Sequence, residues 1–196
     1  MKRIITNAKS DGFGHEKAYE GETNDWITPK WIIDAFNKQT DSKWFFDLDP
    51  CACIVQPWNT AKKSYTKKDD GLNQKWTGAV YCNPPYGPHA GEWMRKLAKH
   101  GNGVALIFAR TETQVWQDDI FPNASGFLWI RGRLVFCRPN GKPATNKSGQ
   151  PQTSGAPSVL VSFGYECRNT LINMVDDGSI PGAFTDAAFY TGSKRY

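Results

Sequence analysis

The chain has 196 residues and a net charge of +5, and its composition, 39% hydrophobic and 22% charged, is that of a globular protein. One domain with a substantial core is expected at this length, and the composition excludes a disordered or fibrous protein. No apolar run approaches the ~18 residues of a membrane span, and no apolar core follows the basic N-terminus, so we expect a cytoplasmic protein without membrane contact. The five cysteines are too few for a disulfide framework and lack the spacing of a zinc site, so no metal is expected.

The first half of the chain predicts two helices and two strands after a polar N-terminal arm at residues 1–24. A helix is expected from Thr28, whose hydroxyl can cap it, because Pro29 suits the first turn and apolar residues up to Phe36 recur at helical spacing. The elements that follow are a strand at 43–49, an irregular basic segment at 50–76, a strand at 78–83 and a helix at about 88–100 that ends at Gly101.

The second half predicts mainly strands. A buried strand at 103–109, a helix opened by the capping box Thr111 to Gln114, one or two strands at 126–137 around Gly132, and a strand at 158–165 follow in order. The alternation in the middle of the chain predicts an α/β domain over residues 25–180, with a mostly parallel sheet, helices on both faces and an antiparallel edge. Residues 181–196 are interpreted as a C-terminal tail.

The net charge is located in one segment. Residues 120–165 contain no acidic residue and carry all of the excess positive charge, on Arg131, Arg133, Arg138, Lys142 and Lys147. This segment includes residues 138–157, which are dense in Pro, Gly, Ser and Asn and form a loop too long to be a simple connection. The charge predicts either a surface that binds a polyanion or a solvated basic surface without a partner.

The tetrapeptide Asn83-Pro84-Pro85-Tyr86 stands at the end of the predicted strand at 78–83. Ligands of open α/β sheets bind beyond the carboxyl ends of the strands, so the tetrapeptide is placed for a site. The side-chain oxygen of Asn83 and the carbonyl of Pro84 can accept both hydrogens of a planar amino group, which makes its nitrogen a better nucleophile. Pro85 stiffens the turn, and Tyr86 offers a face for stacking. The alternative is a diproline turn that only closes a strand.

Further motifs flank the tetrapeptide in a characteristic order: Trp26-x-Thr28-Pro29, FDLDPCA ending at Ala52, Asp70-Gly71-Leu72 with Trp76, CNPPYG at 82–87 and GRLVF at 132–136. Together they resemble the phage-type DNA N6-adenine methyltransferases over roughly residues 25–165. The resemblance implies a Rossmann-like methyltransferase fold, S-adenosylmethionine as cofactor and double-stranded DNA as partner. It also implies a bacterial host cytoplasm as the location if a phage or prophage encodes the chain.

The resemblance also implies roles for individual residues. Catalysis would fall to Asn83, Pro84, Pro85 and Tyr86. The cofactor contacts would be Asn83, Trp26 and, at the methionine end, Thr28 and Pro29. Asp49 would suit the ribose hydroxyls and Asp70 the adenine amine, with the choice between Asp47 and Asp49 and between Asp69 and Asp70 left open. The competing interpretations are a strand-end cap for one of Asp47 and Asp49 and a plain Asp-Gly turn for Asp69 and Asp70.

The glycine-rich cofactor loop usual in this fold does not follow the first strand, and FDLDPCA is either a degenerate version of that loop or the acidic element that normally follows it. Other acceptors with a planar amino group stay open, namely adenine in RNA, the N4 amine of cytosine and a protein glutamine. A nucleic-acid-binding module without catalysis is a further alternative. The recognition sequence and the oligomeric state are not predicted.

Overall fold

The computed structural model describes residues 5–6, 26–85 and 89–189. The strands are β1 (Ile5–Thr6), β2 (Leu48–Ala52), β3 (Lys63–Thr66), β4 (Val80–Cys82), β5 (Gly103–Phe108), β6 (Gly126–Ile130), β7 (Arg133–Leu134), β8 (Ser158–Phe163) and β9 (Gly182–Asp186). The helices are α1 (Lys30–Asn37), α2 (Ala90–His100), a π-helix (Val115–Ile120), α3 (Tyr165–Asp176) and a 3-10 turn (Ala187–Phe189).

A seven-stranded sheet with the order β3-β2-β4-β5-β8-β6-β9 forms the centre of the molecule. The strands β3, β2, β4 and β5 pair in parallel, with Leu48 opposite Val80 and Val80 opposite Gly103. Strand β8 pairs antiparallel with both β5 and β6, and β9 pairs antiparallel with β6. Strand β6 therefore runs in the same direction as β4. The predicted α/β fold with a mostly parallel sheet is confirmed.

Helices cover both faces of the sheet because successive strand residues point to opposite sides. Tyr81 and Val104 face α1 and α3 in one core cluster. Their strand neighbours Cys82 and Ala105 face α2 and the π-helix in the other. The side chains of β4 and β5 are buried on both faces, apart from the partly exposed Phe108, which is typical of central parallel strands. The motif that follows β4 therefore starts from one of the most firmly held positions in the fold.

The second helix ends where the sequence predicts. Gly101 adopts the left-handed conformation with φ of 73°, and its N–H donates to the carbonyl of Leu97 at 2.9 Å. The predicted capping-box helix is instead a π-helix that begins at Val115, with the N–H of Phe121 bonded to the carbonyl of Trp116 five residues earlier.

Other elements also differ from the prediction. The strand expected at 43–49 lies at Leu48–Ala52, and the irregular basic segment contains β3. Within the expected C-terminal tail, Gly182–Asp186 is a strand of the sheet that pairs with all of β6. The arm at residues 1–24 is described only at Ile5–Thr6, which pairs with β7.

The segment at 138–157 is built from hydrogen-bonded turns. The N–H of Arg138 donates to the carbonyl of Lys142, and that of Asn146 to the carbonyl of Gln150. The N–H of Ala144, which is fully buried, donates to the carbonyl of Phe136 and fastens the first turn to the domain. The long loop expected at 138–157 is therefore a series of hydrogen-bonded turns with exposed tips. Within the described residues no helix has the length and apolarity to cross a bilayer, and no group of side chains could hold a metal ion.

Candidate active site

Asn83 directly follows β4, so it lies at the carboxyl edge of the parallel part of the sheet. The neighbouring strands β2 and β5 end at the same edge because they run in the same direction. The loop after β2 and the residues after β5 therefore border Asn83 on its two sides. This is the place where open α/β sheets bind their ligands.

One hydrogen bond fixes the orientation of the Asn83 carboxamide. Its Nδ2 donates to the main-chain carbonyl of Trp26 at 2.9 Å. A carbonyl can only accept, so the amide nitrogen must face Trp26 and the oxygen Oδ1 is turned to the other side. Pro84 is buried and Pro85 exposed, and the predicted stacking residue Tyr86 lies outside the described residues.

Residues 26–28 form a brace on which several parts of the site rest. Ile27 exchanges two main-chain hydrogen bonds with Cys137, at 2.8 and 2.9 Å. The Thr28 hydroxyl is hydrogen-bonded to that of Tyr81 at 2.6 Å, and the Thr28 carbonyl accepts the indole N–H of Trp58 at 3.1 Å. The brace therefore connects β4, the loop after β2 and Cys137, which directly precedes the segment at 138–157. That segment is called the basic segment below.

The start of α1 differs from the prediction at Thr28 and Pro29. Both residues are buried, and the hydroxyl of Thr28 neither caps α1 nor faces solvent, because it bonds Tyr81. Pro29 occupies the cap position, so α1 begins one residue later, at Lys30. These side chains position the edge of the site and present no polar atom to a ligand.

Asp49 is buried with both carboxylate oxygens occupied. One oxygen accepts the N–H of Cys51 at 3.0 Å, and the other accepts the hydroxyl of Thr60. Burial raises the pKa of Asp49 to about 6, although the two hydrogen bonds oppose the shift. The carboxylate therefore ties β2 to Thr60 in the loop that leads to β3, and both of its oxygens are used within the fold.

Asp47 lies at the opposite edge of the sheet. It precedes β2, is exposed, and accepts the N–H of Ala79, which precedes β4, at 2.9 Å. The Asp47 carboxylate also lies close to the main chain of Gly78. Glycine is required there because φ is 69° and an added Cβ would be 2.1 Å from a carboxylate oxygen of Asp47. Asp47 is thus a link at the amino ends of two strands, at the edge of the sheet opposite to Asn83.

The two carboxylates of the Asp69–Asp70 turn have different hydrogen-bond partners. Asp69 accepts the N–H and the hydroxyl of Thr66, both at 2.8 Å, and these bonds hold its pKa below the usual value. Asp70 is exposed in the left-handed conformation, with φ of 49°, and its carboxylate accepts the side-chain amide of Asn73 at 2.7 Å. Asp70 is therefore the carboxylate that is better placed to meet a ligand.

Two contacts place this turn against the site. Gly71 lies so close to the carbonyl of Pro50 in β2 that an added Cβ would be 1.9 Å from its oxygen. The ammonium of Lys96 in α2 donates to the carbonyls of Leu72 and Gln74 at 2.5 and 2.6 Å. The turn is thus fixed at the end of β2, beside the loop that borders Asn83.

A pair of thiols lies beneath the motif. The sulfurs of Cys51 and Cys82 are 3.6 Å apart, and the Cys51 thiol donates to the carbonyl of Asn83 at 3.3 Å. Burial and the neighbouring sulfur raise the pKa of Cys51, so the thiol stays protonated and able to donate. Sequence reasoning missed this contact because the two cysteines are 31 residues apart.

The five predicted phosphate-binding cations are not equivalent. Lys142 and Lys147 are exposed at the tips of the turns, and Arg131 is exposed directly after β6, at the same edge of the sheet as Asn83. Arg133 and Arg138 are half-buried. Arg131 and Arg133 do not lie on one continuous strand, because Gly132, with φ of 77°, stands between the end of β6 at Ile130 and the start of β7.

Arg110 is a cation that sequence reasoning missed. It follows β5, the strand next to β4, and is partly exposed at the edge that carries Asn83. The sequence signal was a charged residue directly after the strongest predicted strand. The rule that ligands bind beyond the carboxyl ends of strands would have selected it.

A family model described as DNA N-6-adenine-methyltransferase (Dam) matches residues 16–174. The match contains every site residue described above, and it confirms the family resemblance inferred from the sequence. No curated protein matches the chain.

Proposed function

The chain belongs to the DNA N-6-adenine-methyltransferase (Dam) family, and on that premise we propose that it transfers a methyl group from S-adenosylmethionine to the N6 amine of an adenine rotated out of DNA. Asn83 is the central catalytic residue of this proposal, with the carbonyl of Pro84 as the second acceptor and Tyr86 as the stacking face.

The orientation of the Asn83 amide is the observation that carries the proposal. Its nitrogen is bonded to the Trp26 carbonyl at 2.9 Å, which turns its oxygen away from Trp26, and in this proposal that oxygen accepts a hydrogen bond from the substrate amine. An oxygen held in advance accepts a hydrogen bond from an amino group without the cost of reorganising. Together with a second fixed carbonyl it draws on both amine hydrogens, which raises the nucleophilicity of the nitrogen.

The exposed groups beside Asn83 suit S-adenosylmethionine in chemical character. Asp70 offers an exposed carboxylate for the adenine amine, and the loop after β2 exposes 55% of Ile54 and 57% of Val55 as apolar surface. When bound, S-adenosylmethionine supplies a methyl group on a cationic sulfur, already a strong electrophile, so the protein chiefly has to align and desolvate the amine.

DNA is the acceptor that the family and the charge favour together. Arg110 and Arg131 follow strands that end at the Asn83 edge, and Lys142 and Lys147 extend from the basic segment. Their charges suit the phosphates on either side of a target base. Rotating the base out of the duplex costs a few kcal/mol, and stacking on Tyr86 would return about 1–3 kcal/mol of it.

The test is to identify the modified base. Unmethylated plasmid DNA is incubated with the full chain and S-adenosylmethionine, digested to nucleosides and analysed by mass spectrometry. We expect N6-methyl-deoxyadenosine in the wild-type reaction and far less of this nucleoside in the reaction with Asn83→Ala. Methylated cytosine, or methylation only of RNA or protein, would assign another acceptor. DNA binding without any transfer would make the chain a binding module.

A further inference from the structure

The catalytic amide of the proposed function depends on a contact from a distant part of the chain. The terminal torsion of an asparagine side chain is broad and nearly two-fold, so the side chain alone does not determine which atom faces the substrate. In this fold the Trp26 carbonyl makes that choice, through a hydrogen bond that spans 57 residues of sequence. The orientation of the Asn83 carboxamide therefore depends on how firmly Trp26 is held in place.

The indole of Trp26 is held by the start of the basic segment. The pairing of Ile27 with Cys137 brings the residues on either side of Cys137 next to the indole. Phe136 meets the ring edge-on, with centroids 6.4 Å apart, and the guanidinium carbon of Arg138 lies 4.3 Å from the ring centroid. Trp26 is thus packed between an aromatic ring and a cation.

Arg138 differs from the other cations of its segment. It is half-buried on the indole, whereas Lys142 and Lys147 are exposed. Its own N–H is bonded to the carbonyl of Lys142 at 2.9 Å, which fixes the main chain of the turn. A guanidinium is planar and stacks on an aromatic face in a way that an ammonium cannot reproduce.

We propose that Arg138 is a positioning residue for methyl transfer, because its stack on Trp26 holds the carbonyl that orients the Asn83 carboxamide. This role rests on the proposed function and replaces the phosphate contact expected from the sequence. It joins the basic segment to the catalytic motif through a single indole and a single hydrogen bond.

Arg138→Lys tests the role because it keeps the charge and removes the planar stack. With saturating DNA and cofactor, we expect the rate constant of methyl transfer to fall by about 2- to 30-fold, the range of a cation–π contact. The affinity for DNA and its salt dependence should stay unchanged. Trp26→Phe, which keeps the carbonyl and shrinks the ring, should show the same pattern and serves if Arg138→Lys does not fold.

A double-mutant cycle separates positioning from general damage. In an Asn83→Ala background there is no carboxamide to orient, so adding Arg138→Lys should change the residual rate by less than about twofold. Arg168→Lys is the matched control, since Arg168 also lies over an aromatic ring, that of Phe184, but at the opposite edge of the sheet. It should leave the saturated rate unchanged, and melting temperatures report the folding of every variant.

Three outcomes would overturn the role of Arg138 alone: a wild-type rate in Arg138→Lys, an equal loss in the Asn83→Ala background, or weaker DNA binding with a salt slope reduced by ~1 and an unchanged rate. The last would make Arg138 a phosphate contact. A wild-type protein that methylates no adenine would overturn the proposed function as well, so the two failures are distinguishable.

Discussion

Replacing Asp49 by asparagine should stabilise the protein at neutral pH. The buried carboxylate has a pKa raised from the usual 3.8 to about 6. Between pH 3.8 and about pH 6, the Asp49 carboxyl is therefore protonated in the folded state and ionised in the unfolded state. The stability that this proton provides is complete below pH 3.8 and is lost as the pH rises through about 6. By linkage the loss amounts to about 3 kcal/mol at neutral pH.

The structure shows why asparagine is the right probe. Its oxygen can still accept the N–H of Cys51, and its amide can donate to the hydroxyl of Thr60. Both hydrogen bonds are therefore kept without a charge on the side chain. Urea unfolding of wild type and Asp49→Asn, compared at about pH 4 and about pH 7.5, should show the variant gaining about 3 kcal/mol relative to wild type.

Cofactor affinity completes this test. Because both oxygens of Asp49 are used within the fold, binding of S-adenosylmethionine to Asp49→Asn at neutral pH should stay within about twofold of wild type. A ribose contact would instead cost about 1.5–3 kcal/mol. A stability difference that does not change with pH would refute the argument from burial, and a large loss of cofactor affinity would return Asp49 to the cofactor site.

The remaining predictions concern the two charged parts of the site. Asp70→Ala should weaken S-adenosylmethionine binding in calorimetry by about 1.5–3 kcal/mol, the value of a charge-assisted hydrogen bond, and leave DNA affinity unchanged; unchanged cofactor affinity would place the cofactor elsewhere. Replacing both Lys142 and Lys147 by alanine should lower DNA affinity equally on all sequences and reduce the log–log salt slope by ~2. An unchanged slope would make the tips of the basic segment plain surface, and the lysines at 62, 63, 67 and 68, which are all exposed, the next candidates.

The central elements of the fold were predictable because local signals and tertiary structure agree there. The buried strand β5, the end of α2 at Gly101 and the motif after β4 all carry signals within a few residues. Strands β3 and β9 were missed because an exposed edge strand has little apolar pattern, and four of the five residues of β9 are polar, small or glycine. Pairing with a neighbouring strand supplies what their own sequences lack.

The site was predictable in its motif but not in its supports. Asn83 and its edge of the sheet follow from a strand and the residues after it. The different positions of the carboxylates do not follow from the local sequence. Asp47 and Asp49 are two residues apart, yet Asp47 lies exposed at the amino edge of the sheet and Asp49 is buried. Only the register with β4 determines which end of the sheet each one reaches. The brace at residues 26–28 was likewise invisible, since its partners are distant in sequence.

Methyl transfer by Asn83→Ala tests the central claim most directly. Incorporation of labelled methyl groups into unmethylated DNA is measured for wild type and variant under saturating cofactor, with cofactor affinity and melting temperature as controls. We predict that the variant keeps its fold and its cofactor affinity but transfers methyl groups at least ~10²-fold more slowly, the scale of losing one preorganised polar contact. Transfer at the wild-type rate would contradict the assignment of Asn83 as the catalytic residue.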